Sequence, residues 1–247
     1  MKHNGTAAFC GVHKNPNRRN VLAGMAALAT VKPAAAADDT ASPIAHGALV
    51  NNPLAQAFEP SPIYQLPDVT LIGPNGEQDV FDLIKGRTIL MPLWAEWCTP
   101  CLSEIPDFAR LQTKYGNASF AIVPVLTGAR KKVTPDALTK IFGFLHASVF
   151  EPLIESKFGN RLMMVMAATH YSTEIPCNLL IAPNGRVIAR EIGIKQSDDE
   201  AATAEQDLAD KVDPVARAEA GETLSLWGKA AGEEFAAAMA NGFLAQT

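Results

Sequence analysis

Acidic residues are missing from the first 37 positions of this 247-residue chain, which carry Lys2, Lys14, Arg18, Arg19 and Lys32 but neither Asp nor Glu. A membrane-length apolar run is missing there too. The segment from Val21 to Val31 is Ala-rich and falls well short of the roughly 20 residues a spanning helix needs, which excludes a transmembrane anchor. Beyond residue 37 it is basic residues that are scarce: 16 stand against 26 acidic ones, a net charge of −10. So acidic a body lacks the clustered Lys and Arg that bind nucleic-acid phosphates. Cysteine is scarce as well, with Cys10, Cys98, Cys101 and Cys177 only. No second pair of ligands accompanies Cys98 and Cys101, as a structural zinc site would require. Internal repeats are absent. What is present, 48% hydrophobic and 19% charged residues, is ordinary for a globular chain with a sizeable core.

Residues 1–37 read as an export signal: a basic region, a short apolar core, and Ala34-Ala35-Ala36-Ala37 as small residues for cleavage. Arg18-Arg19-Asn20-Val21-Leu22, with Lys32 after the core, resembles the twin-arginine type, which carries folded proteins. Ala7-Ala8-Phe9-Cys10 is a poor lipoprotein box, so Cys10 is expected to leave with the signal. Residues 38–62, rich in Ala, Pro and Asn, read as a linker or loosely docked arm, and residues 63–247 as the folded domain.

Within that domain, Val69–Ile72 and Gln78–Phe81 flank Gly73-Pro74-Asn75-Gly76 as strand, turn and strand. A short helical turn follows to Gly86. The run Thr88–Leu93 then predicts a buried strand that empties into Trp97-Cys98-Thr99-Pro100-Cys101, and Leu102, Ile105 and Phe108 follow at helical spacing as far as Tyr115. Ser119–Leu126 is a second buried strand, making a βαβ unit whose strands are parallel. Thr134 and Pro135 open another helix carrying Leu138, Ile141, Phe142 and Leu145. One or two helical pieces are expected from Phe150 to His170. Ile175–Ile181 and Arg186–Ile192 then form a hairpin about Ala182-Pro183-Asn184-Gly185. The acidic, Ala-rich stretch 195–222 reads as a surface insertion, and Thr223–Leu244 as a terminal helix whose Leu226, Trp227, Ala230, Phe235, Ala238 and Met239 face the sheet.

Two thiols at i and i+3 on a first helical turn can bridge, and a helix N-terminus favours the leading thiolate. A redox dithiol is the natural reading of Cys98 and Cys101, beside half a zinc site or a structural disulfide. The wider pattern resembles the thioredoxin superfamily, in its exported bacterial TlpA/ResA-like branch. It consists of Trp94-Ala95-Glu96-Trp97-Cys98-Thr99-Pro100-Cys101, Glu104 and Pro106, then Pro176 and Asn184-Gly185.

That resemblance, over residues 63–195 and the last helix, implies a thioredoxin-like α/β fold. Its mixed central sheet is flanked by helices, with a strand hairpin before the dithiol and the acidic insertion before the last helix. It implies a periplasmic thiol–disulfide oxidoreductase with no cofactor beyond the Cys98–Cys101 pair and no metal. Cys98 would be the exposed attacking thiol and Cys101 the buried resolving one. Pro176 would be a cis-proline facing the dithiol, with Trp97, Thr99, Pro100 and Ile175 beside the substrate and Glu104 tuning the thiols. Partners would be oxidised protein cysteines, as in cytochrome c or respiratory-oxidase copper-site maturation, and a membrane electron-donor thiol protein. A protein-disulfide oxidant or isomerase, or a copper-binding chaperone on the same fold, are the alternatives.

Two residues depart from the pattern. Thioredoxins bear a buried acid six residues before the first active cysteine, where this chain has Pro92. A proline within a central strand predicts a bulge or bend. Cys177 follows Pro176 where Thr is usual. It is either a small buried residue or a third thiol that exchanges with the pair or helps hold Cu(I). Met163, Met164, Met166 and His170 have a spacing that suits core packing as well as a copper motif.

Overall fold

The computed structural model describes residues 42–61, 65–84, 86–156, 162, 175–193 and 225–246. The expected signal, the 195–222 insertion and the Met163–His170 group lie outside them. Among the described residues nine strands form one sheet: β1 (Glu59–Pro60), β2 (Thr70–Gly73), β3 (Gly76–Asp79), β4 (Thr88–Trp94), β5 (Phe120–Ile122), β6 (Val125–Leu126), β7 (Leu153–Glu155), β8 (Cys177–Ile181) and β9 (Val187–Ile192). Their order is β1-β9-β8-β4-β6-β7-β2-β3, with β5 also paired to β4. β4 runs parallel to β5 and β6 and antiparallel to β8, so the sheet is mixed as expected. Every residue of β4 is buried, which is why its sequence is apolar on both faces.

Alternation along β4 sorts the core into two layers. Leu90 and Trp94 point toward α3 (Thr99–Tyr115), α4 (Pro135–Phe144) and the last helix, α5 (Ala230–Ala240); Ile89, Met91 and Leu93 point toward Leu71, Val80 and Ile84. Val80 and Ile84 belong to α2 (Val80–Ile84), so the second hairpin strand ends at Asp79, two residues earlier than the sequence suggests. α4 begins as predicted, with the Thr134 hydroxyl accepting from the Ala137 N–H and Pro135 in the first turn.

The structure corrects four expectations. First, residues 42–60 are not a linker. They form a 3-10 turn (Gly47–Leu49), α1 (Pro53–Ala57) and β1, and they bury Ile44, Leu49, Leu54 and Phe58. Phe58 stacks on Phe235 at 5.3 Å and meets the edge of Trp227 at 6.3 Å. The Asn52 side chain caps α1 and donates to the Ala231 carbonyl at 2.9 Å. Each such apolar burial contributes roughly 1.5–3 kcal/mol, so the arm is part of the fold. A five-residue helix offers too little periodicity to be read in advance.

Second, within Phe150–His170, where helix was expected, Leu153–Glu155 forms β7. It lies buried between β6 and β2, where sheet pairing overrides local preference. Third, Pro92 causes no bulge: β4 keeps unshifted register with β8 through the pair Pro92↔Asn178. The break falls on the opposite neighbour. The Val123 N–H reaches the Leu90 carbonyl, so residue 92 is where the parallel ladder would next need a donor; β5 stops at Ile122 and β6 resumes at Val125. Fourth, the terminal helix starts at Ala230 after a 3-10 turn, Leu226–Gly228. Ala231 and Gly232 face inward while Ala230 is exposed, and Trp227, Phe235 and Met239 are fully buried.

Candidate active site

α3 starts where β4 has delivered the chain to the end of the sheet. Cys98 is its N-cap residue, and Pro100 in the first turn suits a position whose N–H has no partner within the helix. Cys98 and Cys101 form a disulfide, with their Cα atoms 5.3 Å apart. The Cys101 N–H points at Cys98 Sγ at 3.2 Å, a donor at a helix N-terminus that stabilises negative charge on that sulfur once the bond is reduced. Cys98 Sγ also lies 3.7 Å from the Ile175 carbonyl oxygen, and Ile175–Pro176 is a cis peptide bond, as the family resemblance implied. Residues 98, 101, 175 and 176, far apart in sequence, therefore meet.

The rim follows the same turn. Trp97 is 38% exposed, donates from Nε1 to the Gly128 carbonyl at 3.1 Å, and lies under the Arg130 guanidinium at 4.1 Å. Thr99 is exposed and Pro100 half-buried. Cys98 itself is only 4% exposed, against 2% for Cys101, so the expectation of an exposed attacking sulfur is corrected. Its N–H is tied to the Ala95 carbonyl and its sulfur is tucked against Ile175.

Glu104 sits one turn beyond Cys101 on the same side of α3 and is 1% exposed, which removes it from solvent altogether. The Ser225 hydroxyl donates to its Oε1 at 2.8 Å. Burial holds its pKa well above the ordinary carboxylate value; the charges of Glu191 and, less so, Asp107 add to this, and the Ser225 hydrogen bond partly offsets it. Glu191 on β9 is fully buried and accepts a 2.5 Å hydrogen bond from Asn178 Nδ2 on β8. Pro92, Asn178 and Glu191 are register partners across three adjacent strands, so a buried acid does lie on this face of the sheet, two strands from the position thioredoxins use.

Two curated relatives are similar to this chain in sequence. The chain is 30% identical to the thioredoxin-like protein YneN of Bacillus subtilis over 103 residues, which are 42% of this chain and 59% of that protein. It is 25% identical to the thiol-disulfide oxidoreductase ResA of the same organism over 122 residues, 49% of this chain and 62% of ResA. The chain is similar to TlpA/ResA-like proteins of the thioredoxin superfamily. It thus spans about three fifths of the length of the curated relatives it matches. No family model matches it. Among solved structures, it resembles a thiol:disulfide interchange protein DsbE from Chlorobium tepidum (27% identity, 59% of this chain and 94% of that one, TM-score 0.42). StoA from Bacillus subtilis is also similar (19% identity, 52% and 90%, TM-score 0.38).

In this thioredoxin-like frame Cys177 is not beside the dithiol. It pairs with Leu93 on β4 and belongs to the opposite core layer with Met91 and Leu179, fully buried. Burial, with a smaller contribution from the Glu191 charge, pushes its thiol far above the ordinary range. The alternation of a strand explains this: immediately after Pro176, residue 177 turns to the other face. Among the described residues no group of three His, Cys, Asp or Glu side chains could hold a metal ion.

Asn178, Glu191 and Ser225 escaped the sequence reading. Asn178 and Glu191 were visible only as polar residues at positions of two buried strands whose neighbours at i±2, Leu180 and Ala189, are core. That broken alternation is the one signal that could have found them.

Proposed function

We propose that this protein is an exported thiol–disulfide oxidoreductase that reduces disulfides in partner proteins. The observation that carries the reading is the Cys98–Cys101 disulfide at the start of α3 with the Ile175 carbonyl and cis-Pro176 against Cys98. Once reduced, Cys98 attacks a substrate disulfide as the thiolate and forms a mixed disulfide. Cys101 then attacks Cys98 Sγ and frees the substrate as a dithiol. Glu104, buried one turn from Cys101, exchanges the proton that Cys101 loses and regains. Trp97, Thr99, Pro100 and Ile175 border the substrate. Similarity to a thioredoxin-like protein and to a thiol-disulfide oxidoreductase supports the reaction class.

Location and partners rest on the sequence. The Arg18-Arg19 signal and the Ala34–Ala37 cleavage site favour the periplasm. Among the described residues no helix is long and apolar enough to cross a membrane. The family resemblance makes cytochrome c or respiratory-oxidase copper-site maturation the proposed setting, with a membrane thiol protein recharging the pair. A Cys101→Ser variant expressed in the periplasm holds mixed disulfides on Cys98, and mass spectrometry of the trapped species names the partner. Recovery of no Cys98-linked protein defeats the proposal. A reduction potential near that of the strong periplasmic oxidants, rather than in the glutaredoxin range or below, turns the assignment to an oxidant or isomerase.

A further inference from the structure

Beyond residue 37 this chain is acidic, yet at one point it sets three cations in succession, Arg130-Lys131-Lys132, in the loop between β6 and α4. All three residues are exposed. A run of exposed cations is commonly no more than a solvated surface, and what separates this one is where it is held. The Thr127 N–H donates to the Trp94 carbonyl at 2.8 Å, Trp97 Nε1 to the Gly128 carbonyl at 3.1 Å, and the Arg130 N–H to Glu96 Oε1 at 3.1 Å. Past the triplet, Val133 packs against the core and the Thr134 hydroxyl caps α4. The loop is therefore fastened along the segment that leads into Cys98, and the cations lie between two anchored points.

The Arg130 guanidinium covers the ring of Trp97, the residue before Cys98, at 4.1 Å. An arginine stacked on an aromatic face keeps its in-plane N–H edge for a carboxylate. Among the described residues none of the three cations makes an ion pair; the carboxylates that do are Glu233, with Arg110 and Lys114, and Glu59, with Arg190. Two acids are close in the chain or in contact. Glu96 takes the Arg130 N–H, and Asp136 stands in the first turn of α4, where a helix N-terminus suits it. The rim of the dithiol thus carries more positive than negative charge, on a body whose net charge is −10.

We propose that Arg130, Lys131 and Lys132 form a docking patch for acidic residues that flank the cysteines of the partner protein, so that disulfides in acidic surroundings are selected. The inference rests on the oxidoreductase reading and names its substrate class. A peptide whose sulfur meets Cys98 lies beside the Trp97 ring, and so beside the guanidinium that covers it. Lys131 and Lys132 add to the attraction over the roughly 8–10 Å at which exposed charges act at physiological salt. Such complementarity speeds productive encounter more than it tightens the complex. An anionic membrane fits less well: three cations fall short of the clusters of about four to eight that hold anionic lipid, and the acidic body is repelled by it.

The test uses two peptides, each closed by one disulfide and differing only in the flanking residues, Asp and Glu in one, Ser and Gln in the other. Second-order rates of their reduction by the reduced protein are each divided by the rate of the same peptide with dithiothreitol. They are measured for the wild type, Arg130→Gln and the double variant Lys131→Glu, Lys132→Glu. The wild type prefers the acidic peptide by roughly fivefold at low ionic strength, and by less than about twofold in about 0.5 M salt. The charge-reversed variant prefers the neutral peptide, and Arg130→Gln keeps only part of the wild-type preference. Equal normalised rates for the two peptides, or a preference that charge reversal leaves intact, overturn the inference while the oxidoreductase reading stands. Binding to phosphatidylglycerol vesicles that charge reversal abolishes, with the peptide preference unmoved, overturns it in favour of a lipid surface. If the wild type reduces neither peptide, the oxidoreductase reading fails. The dithiol forms of the peptides, reacting with the Cys98–Cys101 disulfide of the oxidised protein, then decide the patch by themselves: the same preference and reversal support it, and equal thiolate-corrected rates overturn it.

Discussion

The sheet keeps its cysteines in two different chemical settings. On the α3 face, Cys98 and Cys101 occupy a helix N-terminus with a backbone N–H on the first sulfur and buried Glu104 one turn away. On the other face, Cys177 lies among Met91, Leu93 and Leu179 with its thiol driven toward the neutral form. Cys177 directly follows Pro176 in the chain, yet the alternation of the strand places it in a different layer. The comparison teaches that reactivity here follows from helix end and field rather than from nearness in sequence. A thiol without such an environment behaves as a small apolar side chain.

The largest test of that contrast is Cys98→Ser, which should reduce turnover of an insulin-disulfide assay to background, a loss of at least about a thousandfold; measurable turnover would mean the chemistry lies elsewhere. Next is the packing that supports the dithiol face. Trp227 is fully buried against Phe58, Phe108 and Phe235, and Trp227→Ala should cost about 3–5 kcal/mol in urea unfolding. A cost under 1 kcal/mol would show that this aromatic cluster does not hold the face together.

Glu104 then supplies a pH dependence whose sign is fixed. Its pKa is raised in the folded protein by burial first and the Glu191 charge second. Its contribution is therefore complete below the unfolded value, roughly 4.3, and is lost as pH rises through the folded value. Urea unfolding of the oxidised protein should show this as lower stability at pH 8 than at pH 5, and Glu104→Gln should flatten that slope. Glu233 on α5 has the opposite sign. Lys114, Tyr115 and Arg110 hold its pKa down to about 2, so its contribution is present above roughly 4.3 and fades as pH falls toward 2. Being partly exposed, it should cost only about 1 kcal/mol as Glu233→Gln, measured near neutral pH. The smallest effect belongs to Cys177→Ala: dithiol turnover should stay within about twofold of the wild type. In the native state, with the dithiol oxidised, the wild-type thiol should resist a thiol reagent until the protein is unfolded. Rapid native labelling of Cys177 would erase the contrast between the faces.

Much of this could be read from residue order. The βαβ unit around the dithiol and the Asn184-Gly185 hairpin were legible because strand periodicity, turn chemistry and capping each leave local marks, whereas the cis bond at Pro176 came from the family resemblance alone. Glu104 was legible as part of a spaced pattern. The docked arm was not, since Ile44, Leu49, Leu54 and Phe58 follow no helix or strand period and acquire meaning only against Trp227 and Phe235. The role of Pro92 was half legible: a missing donor was certain, but which neighbour would yield depended on the side its nitrogen faces. Glu191 and Asn178 were hidden because a single polar residue in a strand cannot announce which buried partner it meets on the neighbouring strand.

The buried arm also bears on processing. On the proposed export reading, the cut follows Ala37, and among the described residues the first core side chain is Ile44. The six residue-to-residue steps from Asp38 to Ile44, even fully stretched, reach roughly 20 Å. A signal peptidase acting on an already folded molecule must therefore work within that distance of the protein body, and a cut placed beyond Ile44 would unseat Ile44 from beneath the last helix.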